Sequence, residues 1–271
     1  MQITPSTIAV ISGAGSGIGR ALALHLAAKG SSLALCDVNV QALEETAARC
    51  AGATRVTTQV VDVSKLEAVQ AFAEHAKLEH GGASLVVNNA GVALGGTFEE
   101  LEISDLQWLM SINYWGVVHG TYAFLPLLKA QSQSYLLNLS SVFGLVAPPG
   151  QTAYSSAKFA VRGFTESLRH ELEGTGVRVA CVHPGGIKTN IARGSRTGAR
   201  VQRSQTELAR DIAQFEKSLV TTAEAAAARI VAGVERNETR ILIGRDAQVL
   251  DGLARLFPAT YWNVLKRLMN T

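Results

Sequence analysis

The stretch "TIAVISGAGSGIG", residues 7–19, runs from a short β-rich apolar segment into a glycine-rich turn, and helical spacing begins near Ile18. Bare backbone at such a turn can approach a pyrophosphate, and the N-terminus of the helix behind it meets the charge. The working spacing is G-x-x-x-G-x-G through Gly13, Gly17 and Gly19, which does not fit G-x-G-x-x-G. A tight strand-to-helix turn needs glycine as well, so the turn alone fits both a dinucleotide site and a plain change of direction. Its place directly after the first strand favours the dinucleotide site.

Outward from this turn, β-rich runs alternate with helix-period segments. Residues 7–12, 32–37, 56–62, 84–90, 135–141, 178–184 and 240–244 read as strands. Runs that are apolar on both faces, separated by helices of a dozen or more residues, describe a parallel sheet covered on both sides. The expected fold is α/β: a doubly wound, Rossmann-like parallel sheet of about seven strands. The length of 271 residues permits one or two domains, but no linker, repeat or low-complexity tract divides it, so a single domain spans 1–271. Ligands in this architecture sit outside the carboxyl ends of the strands. Residues 12–19, 37, 62, 88–91, 140–141 and 184–189 fall on that edge.

Composition removes several alternatives. A hydrophobic share of 47% against 17% charged residues suits a well-buried core and argues against disorder. The net charge of +3, with its cations dispersed, gives no nucleic-acid signature. Cys36, Cys50 and Cys181 are odd in number and widely spaced, so neither a disulfide framework nor a metal site is expected. The start "MQITPS" leads into a strand without the features of a signal peptide, and no apolar run reaches about 18 residues. A soluble protein of the reducing cytoplasm is the expectation.

Polar residues at the strand ends carry the chemistry. Asp37 follows Gly17 by 20 residues, where a carboxylate hydrogen-bonds a ribose diol and repels a 2′-phosphate. Neither Ser16 nor Val38 is basic, so NAD is expected over NADP. The alternative use of Asp37 is as a helix cap. Asp62 is placed for an adenine contact, with Ser64 as the N-cap of the next helix. The paired amides of "NNAG", 88–91, also suit ties between strands. "NLSSV", 138–142, puts two hydroxyls at a strand end, yet no histidine is nominated to activate them and no GxSxG elbow occurs, which argues against a serine hydrolase.

"YSSAK", 154–158, places a phenol and an ammonium one helical turn apart on one face. The ammonium favours phenolate, and a phenol of lowered pKa exchanges protons near neutrality. Bringing a tyrosine from about 10 to about 7 requires roughly 4 kcal/mol, more than one lysine at moderate distance supplies. A second positive charge is needed. Alone, the pair also reads as an ordinary surface Tyr/Lys couple.

Gly13-xxx-Gly17-x-Gly19, "NNAG", Asn113, Ser141, Tyr154-xxx-Lys158 and "PGGIKT" at 184–189 occur together in the order and spacing of the short-chain dehydrogenase/reductase family, which the chain resembles over about its first 190 residues. The resemblance implies Tyr154 as acid/base, Ser141 holding the substrate oxygen, Lys158 on the nicotinamide ribose and lowering the tyrosine pKa, and Asn113 anchoring a proton-relay water through a helix irregularity. It implies a dinucleotide held by Gly13, Ser16, Gly17, Ile18 and Gly19, by Asp37, Asp62 and Val63, by Asn89, Ala90 and Gly91, by Tyr154 and Lys158, and by Pro184, Gly185, Ile187 and Thr189. The oxidised nicotinamide supplies the second positive charge. Two departures, Ser12 for threonine and His183 for asparagine or serine, are expected not to touch the catalytic set. The Tyr-to-Lys spacing resembles ordinary dehydrogenases and not enoyl reductases.

Substrate choice is assigned to 92–97, 142–151 and the segment after Thr189. Val92, Leu94, Phe143, Leu145, Val146, Pro148 and Pro149 suggest an apolar wall and a hydrophobic alcohol or ketone. The lid, about 188–220, is basic: residues 188–217 hold seven Lys/Arg against three Asp/Glu, which suits a solvated surface or an anionic substrate. The C-terminal helical tail, about 246–271, has apolar residues at helical spacing around Pro258 and suits docking on its own core, a partner subunit or a membrane surface. Helices over 107–128 and 153–173 carry more apolar surface than one face buries. By the resemblance they pair in a homodimer or homotetramer. A non-catalytic dinucleotide-binding regulator on the same fold is the rival reading.

Overall fold

The computed structural model describes residues 1–189, 191 and 194–269. Seven strands, β1 (Ile8–Ser12), β2 (Ser32–Asp37), β3 (Val56–Val60), β4 (Leu85–Asn88), β5 (Ser134–Leu139), β6 (Val177–Pro184) and β7 (Arg240–Ile243), form one all-parallel sheet in the order β7-β6-β5-β4-β1-β2-β3. The chain winds outward from β1 to β3 and then returns to lay β4 on the other side of β1. That reversal opens a crevice above β1 and β4.

Side-chain alternation explains why both faces are covered. Ala9 and Ile11 of β1, Leu85 and Val87 of β4, and Leu137 of β5 face one core, shared with α1 (Gly17–Ala28) and α8 (Ala223–Glu235). Val10, Val86 and Leu136 face the other core, shared with α3 (Leu66–His80), α5 (Gly116–Lys129) and α6 (Thr152–Glu171). Each fully buried leucine of this kind contributes about 2 kcal/mol by removal from water. The remaining helices are α2 (Val40–Arg49), α4 (Ile103–Met110), α7 (Gln205–Ser218), α9 (Arg245–Leu256) and α10 (Tyr261–Met269).

Two local expectations change. β3 stops at Val60, short of Asp62, because the Asp62 carboxylate accepts the Ser64 N–H at 2.9 Å and turns the chain out of the sheet. Ser64 is therefore not the cap of α3; Lys65 stands at that position, without a side-chain cap. Between α4 and α5 the helix widens into a π turn over Ser111–Trp115, which contains Asn113. Among the described residues no helix is long and apolar enough to cross a membrane.

The segment between β6 and α8 is tied down at both ends. Ile187–Lys188 pairs in parallel with Thr221–Thr222, and Arg196–Thr197 pairs with Leu94–Gly95. The C-terminal helices dock on the molecule's own core: Ala247, Leu250, Ala254 and Tyr261 pack with Val142 and Val146. Pro258 falls in the break between α9 and α10.

Candidate active site

The glycine turn is closed by its own backbone. Gly13 and Gly17 have φ of +65° and +52°, and a Cβ at Gly19 would lie 2.2 Å from the Gly13 carbonyl oxygen. Ser12 Oγ accepts the Asn89 and Ala90 N–H groups, while Asn89 Nδ2 donates to the Ser12 and Gly13 carbonyls at 2.8 and 3.1 Å. Asn89 thus locks the turn to the end of β4. Asn88 performs the structural tie expected of the pair, donating to Asn138 of β5 and to Val117 and Thr121 of α5. Ser16 precedes α1 without capping it through its side chain, so the helix presents N–H groups to an anion. A bare, positively polarised cradle of this kind fits a pyrophosphate.

Asp37 closes the cradle on the adenosine side. One carboxylate oxygen accepts the Gly15 N–H at 2.8 Å and the other the Asn39 N–H at 2.9 Å. It caps no helix; Asn39 caps α2. Each oxygen keeps a lone pair for a diol. Gly15, not singled out from the sequence, belongs here too, because its Cβ would meet Asp37 Oδ2 at 2.8 Å. Asp62 is exposed beyond β3, with Val63 between it and α5.

Two of the predicted catalytic residues, Asn113 and Lys158, converge on Gly91, just beyond β4. A Cβ there would stand 3.3 Å from Asn113 Oδ1 and 3.6 Å from Lys158 Nζ. The fully buried Asn113 side chain grips the Val92 backbone in both directions, accepting its N–H at 2.8 Å and donating to its carbonyl at 2.9 Å. Its amide is thereby engaged with Val92, and its main chain lies in the π turn. Lys158, on the inner face of α6, donates to the Leu139 carbonyl at 2.9 Å and lies 5.7 Å from the centre of the Tyr154 ring. Burial pulls its ammonium down to about 8.

Burial also raises the Tyr154 phenol, and the neighbouring Ser141 hydroxyl draws it only partly back. In the protein alone desolvation prevails at the phenol, while the Lys158 ammonium is turned to the Leu139 carbonyl. Ser141 caps a short helical turn at Val142–Gly144, accepting the Phe143 N–H at 3.1 Å, and Phe143 meets the Tyr154 ring edge-on.

His183 corrects the expectation that it stands apart. It is fully buried at the end of β6, and Nδ1 lies 3.1 Å from the Ser141 carbonyl oxygen. A carbonyl only accepts, so Nδ1 carries the proton; burial holds the imidazole down to about 4 and keeps it neutral.

The segment after β6 arches over the glycine turn. A Cβ at Gly17 would meet Thr189 Cγ2 at 3.1 Å, which brings Pro184, Gly185, Ile187 and Thr189 to the same crevice. The apolar wall is thinner than expected. Leu94 is buried beneath α4 and α6, Val146 turns toward α9, and Leu145 lines an outer cleft with Phe159 and Tyr261. Val92, Phe143, Pro148 and Pro149 keep accessible surface. Tyr261 also escaped the sequence reading of the site: its hydroxyl accepts the Ala147 N–H at 2.9 Å.

The basic segment meets an acidic ridge. Arg200 pairs with Glu102 at 3.8 Å and Arg203 with Glu100 at 3.5 Å, the Ala199 N–H donates to Asp105, and Arg196 stacks 3.8 Å over Trp108. Three of its cations are thus directed at the 100–108 region and not at a substrate anion. Arg193 lies outside the described residues.

Residues 7–200 match the short chain dehydrogenase family. SadH of Mycobacterium tuberculosis, provisionally designated an oxidoreductase, is 44% identical over 94% of this chain and 92% of its own length. Human estradiol 17-beta-dehydrogenase 11 is 31% identical over 96% of this chain and 82% of that protein. A short chain dehydrogenase/reductase from Burkholderia phymatum, solved in complex with NAD, superposes with a TM-score of 0.86 at 33% identity, covering 94% of this chain and 95% of that one. Levodione reductase superposes with a TM-score of 0.78 at 27% identity, covering 92% and 99%.

Proposed function

The chain belongs to the short-chain dehydrogenase/reductase family of oxidoreductases, which use a nicotinamide dinucleotide, and from that premise we propose that it interconverts an alcohol with a ketone or aldehyde on a hydrophobic substrate, with NAD preferred. The observation that carries this reading is the convergence of Asn113 and Lys158 on Gly91, with Tyr154 and Ser141 on the same rim. A bound nicotinamide supplies the hydride acceptor or donor and, when oxidised, a positive charge.

The chain's own groups handle the proton. Ser141 holds the substrate oxygen, and Tyr154 takes the hydroxyl proton during oxidation or returns it during reduction. Burial alone raises the phenol, so the ionised form needs positive charge from Lys158 and from the oxidised cofactor together. The π turn at Asn113 leaves a main-chain carbonyl outside the regular helical ladder, a suitable anchor for a water that passes the proton from Lys158 to solvent. NAD preference rests on Asp37. Arg20, one turn into α1, is committed to Thr46, the Ala42 carbonyl and Glu45 of α2, away from a 2′-phosphate.

Relatives named for estradiol dehydrogenation and levodione reduction support an alcohol–carbonyl couple on an apolar substrate. Cys36, Cys50 and Cys181, all buried free thiols, suit the reducing cytoplasm. A panel of hydrophobic alcohols and ketones with NAD and NADP, followed by the absorbance of the reduced nicotinamide, is expected to show turnover that is faster with NAD. A protein that binds the dinucleotide but turns over none of the panel would instead be the regulatory protein.

A further inference from the structure

Resting on the dinucleotide reading above, we propose that Asp246, in the first turn of α9, is a positioning residue for the nicotinamide end of the cofactor. Its carboxylate sets the main-chain path at Gly185–Gly186. The Gly186 N–H donates to Asp246 Oδ2 at 2.6 Å, a short charge-assisted bond. The packing is so close that a Cβ at Gly185 would stand 2.2 Å from Oδ2, and one at Gly244 would stand 2.2 Å from Oδ1. Gly185 is not among the glycines with positive φ, so the carboxylate, and not an unusual backbone angle, explains why it lacks a side chain.

The peptide at Gly186 is held from three directions. The Gly185 N–H donates to the Ile243 carbonyl at 2.9 Å, and the Gly186 carbonyl accepts from Val220 and Thr221 at 3.2 and 3.1 Å. Ile187 then pairs with Thr221, and Thr189 reaches the glycine turn. A displacement at Gly186 is therefore passed within three residues to Ile187 and Thr189, which the dinucleotide reading assigns to the cofactor. Asp37 and Asp62 stand across the sheet beyond β2 and β3, while Asp246 sits beyond β7, at the opposite edge. The adenosine half does not depend on it.

The closing experiment compares two ligands by isothermal titration: NAD, and ADP-ribose, which lacks only the nicotinamide. Asp246→Ala is expected to weaken NAD about tenfold while moving ADP-ribose less than about twofold. Asp246→Asn, which retains an oxygen acceptor for Gly186, is expected to restore NAD affinity. Asp246→Ser, too short to reach Gly186 yet suited to a first helical turn, gives the same comparison if the alanine variant does not fold. An equal loss for both ligands, or for neither, overturns the role of Asp246 and leaves the dinucleotide reading standing. A wild-type protein that binds neither ligand overturns both.

Discussion

Tyr154 is partly buried, and its transferable proton is the one group whose loss separates chemistry from binding. Tyr154→Phe is expected to remove nearly all turnover at saturating cofactor while dinucleotide affinity stays within about twofold; substantial residual reduction would sink the mechanism. Asp37→Ala is expected to narrow the preference for NAD, since it removes both the diol acceptor and the repulsion of a 2′-phosphate. Steady-state constants with the two cofactors measure it, and a wild type more efficient with NADP refutes the assignment. Lys158 offers a test without substrate. Its folded value of about 8 lies below the ordinary lysine value of 10.5, so between these pH values the unfolded state binds the extra proton and stability rises with pH. The rise amounts to roughly 3 kcal/mol at most. Cys36, Cys50 and Cys181, all raised by burial, work in the opposite direction from about pH 9, so the readout is the difference between wild type and Lys158→Met. Urea denaturation of the cofactor-free protein at pH 7 and pH 10 is expected to show wild type gaining on the methionine variant. At this scale the motif residues were legible from spacing, whereas Asp246 and His183 were not, because their partners lie 60 and 42 residues away.

Elements followed their patterns closely where burial is two-sided. β2 spans the expected 32–37, and the shortening of β3 follows from one Asx turn at Asp62. What the pattern did not show is that the tail touches the 142–151 loop. Tyr261 packs among Val142, Val146 and Ala247 and holds Ala147 through one hydrogen bond. Tyr261→Phe keeps the ring and removes the bond, at a cost of about 1 kcal/mol localised to residues 142–151. Hydrogen exchange at Ala147 is expected to accelerate, and the KM for substrate to rise, while NAD affinity stays level. Unchanged exchange at Ala147 would show that packing alone fixes the loop.

For the whole molecule, the question is which exposed apolar surface is surplus. Trp108 is covered by Arg196, and Tyr114 by Phe164 and Trp115. Trp115, at the end of the π turn, and Tyr122 of α5 remain 50% and 65% exposed, and Phe159 of α6 39%. Exposed aromatics on these helical segments suit a self-complementary two-fold interface. Gly163 follows Phe159 by one turn of α6 and is exposed, and a side chain there would meet nothing within 4 Å of its Cβ. Gly163→Arg is therefore harmless within the monomer and obstructive between helices. Light scattering is expected to give a dimer or a multiple of it for wild type and about 28.7 kDa for the variant. A wild-type mass already at the monomer value defeats the interface.

The sequence by itself determined the sheet, its winding and the motif edge, because two-sided burial writes a run of apolar residues into each strand, and a glycine turn or a Tyr-xxx-Lys pair lies within one local segment. Only the tertiary structure decided what stands behind those motifs. Lys158 faces Leu139, Asn113 places its amide on Val92, His183 reaches Ser141, and the basic segment meets Glu100, Glu102 and Asp105. These contacts join distant segments, and hydrogen bonds of that kind leave no periodic trace in the chain; they depend on how the ends of seven strands and the caps of their helices are brought to one edge.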